Sequence, residues 1–120
     1  MATATKEFYC YDPSSDTWTK KADFAGVVRS SAMGFSVGNY GYLGAGVSAS
    51  VAGLQDFWQY NPVTDAWVQV NDFSGGLRGS GIAFSGDTQG FVGYGNGPLH
   101  DAGPGGGYTN SYNDLWQFLP

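Results

Sequence analysis

The sequence predicts an all-β protein built from a repeated unit of four antiparallel strands. The chain matches itself without a gap at an offset of 49 residues, with 15 identities over the 40 positions from 7 to 46. Aromatic and β-branched residues alternate with small or polar ones over short runs, as expected for strands. Glycine makes up 20 of the 120 residues and, with Pro, Asn and Asp, separates these runs. A period near 50 is typical of arrays of one supersecondary unit.

The expected strands follow one another in the same order in each copy. The first copy begins with two strands between residues 8 and 21, and the next strand covers 32–37, where Met33 and Phe35 point to one side and small residues to the other. Further strands are expected at 40–46, 57–60 and 67–70, with a proline turn at 61–65 before the last one. The second copy repeats this pattern from 78 to 95, and a third begins at 114. Bulky faces opposite small faces suit sheets that stack closely.

The order of these motifs resembles the kelch repeat. An Arg comes first, followed by the strand in which bulky and small residues alternate and by a Gly-Tyr-x-Gly-x-Gly strand. A Phe-Trp-x-Tyr-Asn-Pro turn and a Trp complete the unit. The resemblance implies four-stranded blades of a β-propeller, with strand a innermost and strand d outermost. Residues 1–6 would then be a tail, 7–21 strands c and d of a partial blade, 22–70 a complete blade, and 71–120 a repeat that lacks strand d. The adjacent glycine pair of the family is spaced here, as in Gly44-Ala45-Gly46.

The number of repeats predicts self-association. Propellers close with about 4 to 8 blades, so roughly two repeats would leave strand edges and aromatic faces uncovered. A cyclic homo-oligomer would close the ring, and a trimer with six blades is favoured over a dimer or a tetramer. The alternative is that the chain is a piece of a longer propeller. Because strand c occurs at both 7–11 and 114–118, one of these segments would be surplus, and the sequence does not decide which.

The repeated aromatic residues are expected to pack between blades, because their recurrence follows the repeat and aromatic burial stabilises folded proteins. This interpretation is preferred to a sugar-binding platform. The residues assigned to blade packing are Tyr11, Trp18, Phe35, Trp58, Tyr60, Trp67, Phe84 and Trp116.

A ligand site is expected at the mouth of the channel. Arg29 and Arg78 begin strand a, and they either bridge carbonyls and carboxylates such as Asp23 and Asp72 or form a ring of guanidinium groups that binds an anion. The resemblance supports the second role, since kelch propellers often bind partners on this face. The long b–c loop at 96–113 would rise from the same face and would be either decoration or part of the site. It contributes the candidates His100, Asp101 and Tyr108.

Charge and composition limit the other function classes. The net charge is −5 and no basic cluster exists, so nucleic acid is a poor partner. The uncharged stretch 30–55 is too rich in Gly and Ser to span a membrane, and no signal peptide is recognised, which leaves the compartment open. With one Cys and one His, no cofactor or metal site is expected within one chain.

An enzymatic function is uncertain, and the leading prediction is a non-enzymatic, self-assembling interaction module that binds a protein or a small anionic or polar ligand. The alternative is a fragment of a propeller enzyme such as a sialic acid mutarotase. That chemistry needs a carboxylate acid or base beside an arginine. An accessible carboxyl group with a raised pKa next to Arg29 or Arg78 would favour the alternative.

Overall fold

The computed structural model describes residues 3–51, 53–98 and 109–119. Within these ranges every regular element is a β-strand and every strand pairing is antiparallel, which confirms the prediction of an all-β chain. None of the described residues belongs to a helix long and apolar enough to cross a membrane. The strands are β1 (Phe8–Asp12), β2 (Thr17–Lys21), β3 (Met33–Val37), β4 (Tyr40–Gly44), β5 (Phe57–Asn61), β6 (Ala66–Gln69), β7 (Ile82–Ser85), β8 (Gly90–Gly93), β9 (Asn96–Pro98), β10 (Thr109–Ser111) and β11 (Leu115–Phe118).

The strands form one complete four-stranded sheet with a smaller sheet on each side. The middle sheet has the order β3-β4-β5-β6, the N-terminal hairpin consists of β1 and β2, and the C-terminal sheet has the order β7-β8-β11. These strands lie where the sequence predicts them. The segment 96–113, expected to be irregular, differs in one respect, because it begins and ends in a small sheet of β9 and β10.

The backbone repeats as closely as the sequence does. Three pairs of non-glycine residues that are 49 positions apart adopt the left-handed conformation, with φ from 51° to 58°. Such angles are uncommon outside glycine, so their recurrence shows that the two copies share the same turns. The pairs are Asp16 and Asp65, Ser31 and Ser80, and Ala45 and Tyr94. Ala45 and Tyr94 are the residues that separate the spaced glycines.

Bulky residues of one sheet pack on small residues of the next. The Phe35 ring of the middle sheet lies so close to Gly90 that a Cβ there would be 2.2 Å from it, and Phe57 contacts Phe118 with ring centroids 4.9 Å apart. On the opposite side, Phe8 contacts Tyr60 at 4.8 Å. The second and third contacts are equivalent in the repeat, so the three sheets follow each other with the same stacking. The main buried cluster lies between the middle and C-terminal sheets and consists of Met33, Phe35, Tyr42, Ala45, Phe57, Phe73, Val92 and Phe118.

Candidate functional site

Arg29 is held in the middle sheet by a complete set of partners. Its guanidinium group donates two parallel hydrogen bonds to the Asp56 carboxylate, each 2.8 Å long. It also donates to the Ala45 and Val27 carbonyl oxygens, at 3.0 and 3.1 Å. Trp58 donates its indole N–H to the same carboxylate at 2.8 Å. Because bidentate Arg–carboxylate pairs are geometrically specific, this cluster fixes the segment before β3 against the start of β5.

Arg78 occupies the equivalent position in the C-terminal sheet and is fully buried, but its Nε atom, unlike that of Arg29, has no hydrogen-bond partner among the described residues. It donates to both oxygens of Asp114, at 2.6 and 3.0 Å, and to the Tyr94 and Gly75 carbonyl oxygens. The indole N–H of Trp116 donates to Asp114 at 2.8 Å. Tyr112, which follows β10, covers the guanidinium group, with Cζ 3.9 Å from the ring centroid. The base of the long loop therefore packs on Arg78.

Both carboxyl groups beside the arginines are held in the ionised form. The hydrogen bonds from Arg78 lower the pKa of Asp114 to about 2 against a smaller effect of burial. For Asp56, burial opposes ionisation, but the hydrogen bonds from Arg29 and Trp58 outweigh it and lower the pKa. A general acid needs a raised pKa near neutral pH. Neither group is therefore suited to donate a proton at neutral pH, and the feature that would favour a mutarotase-type enzyme is not seen at these two residues.

The two arginines pair with carboxylates other than those that the sequence suggested. Asp23 lies 3.7 Å from Lys20, and Asp72 contacts Gln55, so neither pairs with an arginine. The observed partners, Asp56 and Asp114, come directly before β5 and β11, and the repeat places Glu7 at the same position before β1. Comparing the three copies at this position could have found them. His100, Asp101 and Tyr108 lie outside the described residues, so the structure does not place them near Arg29 or Arg78.

Four of the aromatic residues expected to be buried are exposed. Four others are covered at least in part. Phe118 of the C-terminal sheet packs on Phe35, Phe8 of the hairpin packs on Tyr60 and Trp67, and Phe24 of the linker before β3 packs on Trp58. The exposed residues lack such cover, although one of them, Trp116, keeps an edge contact with Phe73 at a centroid distance of 6.0 Å. They are Tyr11, Trp18, Phe84 and Trp116.

Two clefts lie beside the incomplete sheets. One is formed by residues 71–74 and 116–119, next to the edge of β11, and has a volume of about 320 Å³. The other, also about 320 Å³, lies over the small face of β3 and β4 and is lined by Gly34, Gly41, Phe8 and Tyr60, among others. The described residues contain no group of three or more His, Cys, Asp or Glu side chains that could hold a metal ion. Apolar faces of this kind are typical of protein interfaces.

Comparison with known proteins places the fold but not the activity. No protein-family model matches the sequence, and no curated protein matches it. Among solved structures, the chain is similar to that of YjhT, with a TM-score of 0.68 and 22% sequence identity. The match covers 77% of this chain and 29% of the YjhT chain. The same stacking of antiparallel sheets thus occurs as part of a longer chain.

Proposed function

We propose that this chain is a non-enzymatic kelch-type module whose sheets are propeller blades, and that it closes a ring with further copies of itself. The single observation that carries the proposal is the repeated stacking of the three sheets. The Phe8–Tyr60 contact on one side of the middle sheet and the Phe57–Phe118 contact on the other are equivalent in the repeat, so the sheets follow one another in the same way. A unit that repeats with a constant rotation closes into a ring when the rotation divides a full turn.

The uncovered faces support association with other copies. The N-terminal hairpin exposes Tyr11 and Trp18, and the C-terminal sheet exposes Ile82 and Phe84. These residues are equivalent to positions that are covered wherever a neighbouring sheet is present. If each copy contributes two blades, a trimer forms a six-bladed ring, which is the proposed assembly.

We propose a structural role for the two arginines within this ring. The guanidinium groups of Arg29 and Arg78 are occupied by carboxylates and carbonyl oxygens of the chain itself. An anionic ligand at the channel mouth would have to compete with a bidentate ion pair, whose disruption leaves a buried charge without a partner.

The dependence of thermal stability on protein concentration tests this function. If folding and association share an interface, the melting temperature of the purified chain rises with each tenfold increase in concentration. The control is Trp18→Ser, which should lower the melting temperature and weaken its concentration dependence because it removes an exposed interface residue. A melting temperature that is independent of concentration, together with a monomeric mass, would contradict the proposal.

A further inference from the structure

In the proposed ring, one blade is made jointly by the C-terminal end of one copy and the N-terminal end of the next, and we call it the shared blade. The ring by itself does not decide which of two strands is the third strand of this blade. Both β1 and β11 occupy the third position of a blade, and a blade made from the ends of two copies needs only one of them. The contacts within the complete middle sheet show which residues should cover the uncovered surfaces of the hairpin and of the C-terminal sheet. This inference rests on the proposed ring, and it concerns how two copies join.

Trp67 of β6 shows how a fourth strand is seated. Its ring contacts Phe24 and Tyr60, with centroids 5.1 and 5.0 Å away. Its indole N–H donates to the Ala22 carbonyl oxygen at 3.1 Å. Asp65, at the turn before β6, accepts a hydrogen bond from the Ala22 N–H at 2.9 Å. A fourth strand is thus seated by one Trp and one Asp on the segment that precedes the first strand of its own sheet.

The C-terminal sheet has the same seat without a strand in it. The repeat places Asn71, Phe73 and Phe118 at the positions of Ala22, Phe24 and Tyr60. They line the cleft formed by residues 71–74 and 116–119. The outer edge of β11 is unpaired among the described strands, since β11 is bonded only to β8. This cleft is the place for a Trp on a strand that pairs with β11.

β2 carries the residues that this seat requires. Trp18 and Asp16 are the repeat equivalents of Trp67 and Asp65, and Asp16 has the same left-handed backbone. In the single chain Trp18 is 68% exposed. β2 lies on the other side of the middle sheet from β11, so it is the β2 of a second copy that fits this seat.

The cleft over β3 and β4 can receive an exposed residue of the C-terminal sheet of a second copy. In the single chain, the Phe35 ring lies on Gly90. The repeat equivalents are Phe84, which is 45% exposed, and Gly41, which lines the cleft over β3 and β4. A cavity of about 150 Å³ accepts benzene, so this cleft has room for the Phe84 ring of a neighbouring copy. Both clefts are then filled across one interface.

The contacts of the two competing strands favour β11. β11 is anchored by the buried Arg78 pair with Asp114 and by Phe118 in the main core. β1 contacts the middle sheet through the Phe8 ring, and its carboxylate neighbour Glu7 forms an exposed ion pair with Lys20. Exposed pairs contribute little to stability. When β2 leaves the hairpin, Leu115 of the neighbour, which is half exposed, is equivalent to Phe8 and can take its place.

We infer that β2 of one copy separates from β1 and adds to the free edge of β11 in a second copy, so that the shared blade has the order β7-β8-β11-β2. The pairing of β5 with β6 fixes the register. Phe118 lies opposite Trp18, and Gln117 lies opposite Thr19, as Tyr60 lies opposite Trp67 and Gln59 opposite Val68. Strand addition of this kind is a known mode of protein recognition.

Disulfide cross-linking tests this register. The variant Thr19→Cys/Gln117→Cys in a Cys10→Ser background should form chains linked to each other under mild oxidation, seen as a ladder on a non-reducing gel. Residues opposite each other on paired strands satisfy disulfide geometry. The two positions lie on opposite sides of the middle sheet, so a link within one chain is excluded. The matched control Thr19→Cys/Asn39→Cys, also with Cys10→Ser, should stay unlinked, because the exposed turn residue Asn39 lies away from the proposed pairing.

A second variant tests whether β1 and β2 remain paired in the assembled protein. Thr19→Cys with the native Cys10 places two thiols opposite each other in the β1-β2 hairpin. In the assembled protein both thiols should remain titratable, because β2 has left β1. Strand exchange would be contradicted, but the ring would not, if the disulfide between positions 10 and 19 forms in an oligomer of this variant and the first variant forms no link between positions 19 and 117. A monomer in sedimentation experiments under reducing conditions overturns the ring and the exchange together.

Discussion

The middle sheet and the N-terminal hairpin carry the same two aromatic residues in different surroundings. Tyr60 and Trp67 lie opposite each other on β5 and β6, and Phe8 covers both, so that Tyr60 is 7% exposed. Tyr11 and Trp18 lie opposite each other on β1 and β2, and Tyr11 is 44% exposed. Both tyrosines donate to the Asp five residues later, at 2.8 and 3.0 Å. The local structure is therefore the same, and only the covering sheet differs.

This difference shows that each repeat forms an aromatic surface that becomes buried only where a neighbouring sheet lies on it. Local sequence is enough to form the strand pair and the left-handed turn at Asp16 and Asp65. Burial of the aromatic rings depends on the next sheet, which the chain supplies to the middle sheet and not to the hairpin. Exposed aromatic rings in a repeated context are typical of interfaces between repeats.

The largest expected effect distinguishes the buried ion pair of Arg78 and Asp114 from the exposed ion pair of Lys20 and Glu7. Arg78→Ala should lower the free energy of unfolding by about 3–5 kcal/mol, because Asp114 then loses its partner next to a cavity. Arg78→Lys should not restore the loss, since Lys cannot form two parallel hydrogen bonds. The matched control is Lys20→Ala, which removes the exposed pair with Glu7 and should leave the unfolding midpoint unchanged. Equal effects in urea denaturation would contradict the distinction.

A second comparison uses the Phe residues of the two copies. Phe35→Ala should lower the free energy of unfolding by about 3 kcal/mol, because Phe35 is 8% exposed and packs in the core. Phe84→Ala should leave the stability of a dissociated chain unchanged but shift the association equilibrium toward monomer. Circular dichroism melts and sedimentation at several concentrations separate the two effects. A Phe84→Ala protein that assembles as well as the parent would show that its exposed ring is not an interface residue.

A smaller effect is expected for the tyrosine hydroxyl groups. Burial and the hydrogen bond to Asp65 raise the pKa of Tyr60 to about 12. Tyr60→Phe removes this partly buried hydrogen bond and should cost about 1 kcal/mol. Tyr11→Phe removes the exposed counterpart and should have no measurable effect on the dissociated chain. Tyr11→Phe should also leave assembly unchanged, because the proposed strand exchange puts Phe118 of a second copy in the place of Tyr11 opposite Trp18. A cost that appears only at high protein concentration would contradict that exchange.

The last expected effect is confined to acidic pH and concerns the Asp114 carboxyl group. Its pKa is lowered from 3.8 to about 2 in the folded protein, so the unfolded chain binds this proton first as the pH falls. The contribution of Asp114 to stability is thus complete above about pH 4 and is lost between about pH 4 and pH 2. Asp114→Asn should flatten this part of a urea midpoint profile. A profile of the same slope in both proteins would show that other carboxyl groups determine the acid sensitivity.

Most of the fold could be predicted from the sequence, because the repeat and the period-2 alternation are local signals. The strands of both copies and the proline turn follow from them. The small sheet of β9 and β10 was missed, since its residues follow no alternation and depend on the contact of Tyr112 with Arg78. The carboxylate partners were missed because pairing depends on which strand lies beside the arginine, and the nearer acids, Asp23 and Asp72, are on the linkers instead.

The mass of the chain in solution tests the central claim most directly. Light scattering coupled to size-exclusion chromatography should give one species near three times the 12.7 kDa chain mass, because the proposed ring has six blades and each copy would supply two of them. Dilution should convert it to monomer without a stable intermediate, since an open chain of two copies exposes the same faces again. A folded, monodisperse species of 12.7 kDa at micromolar concentration would contradict the account.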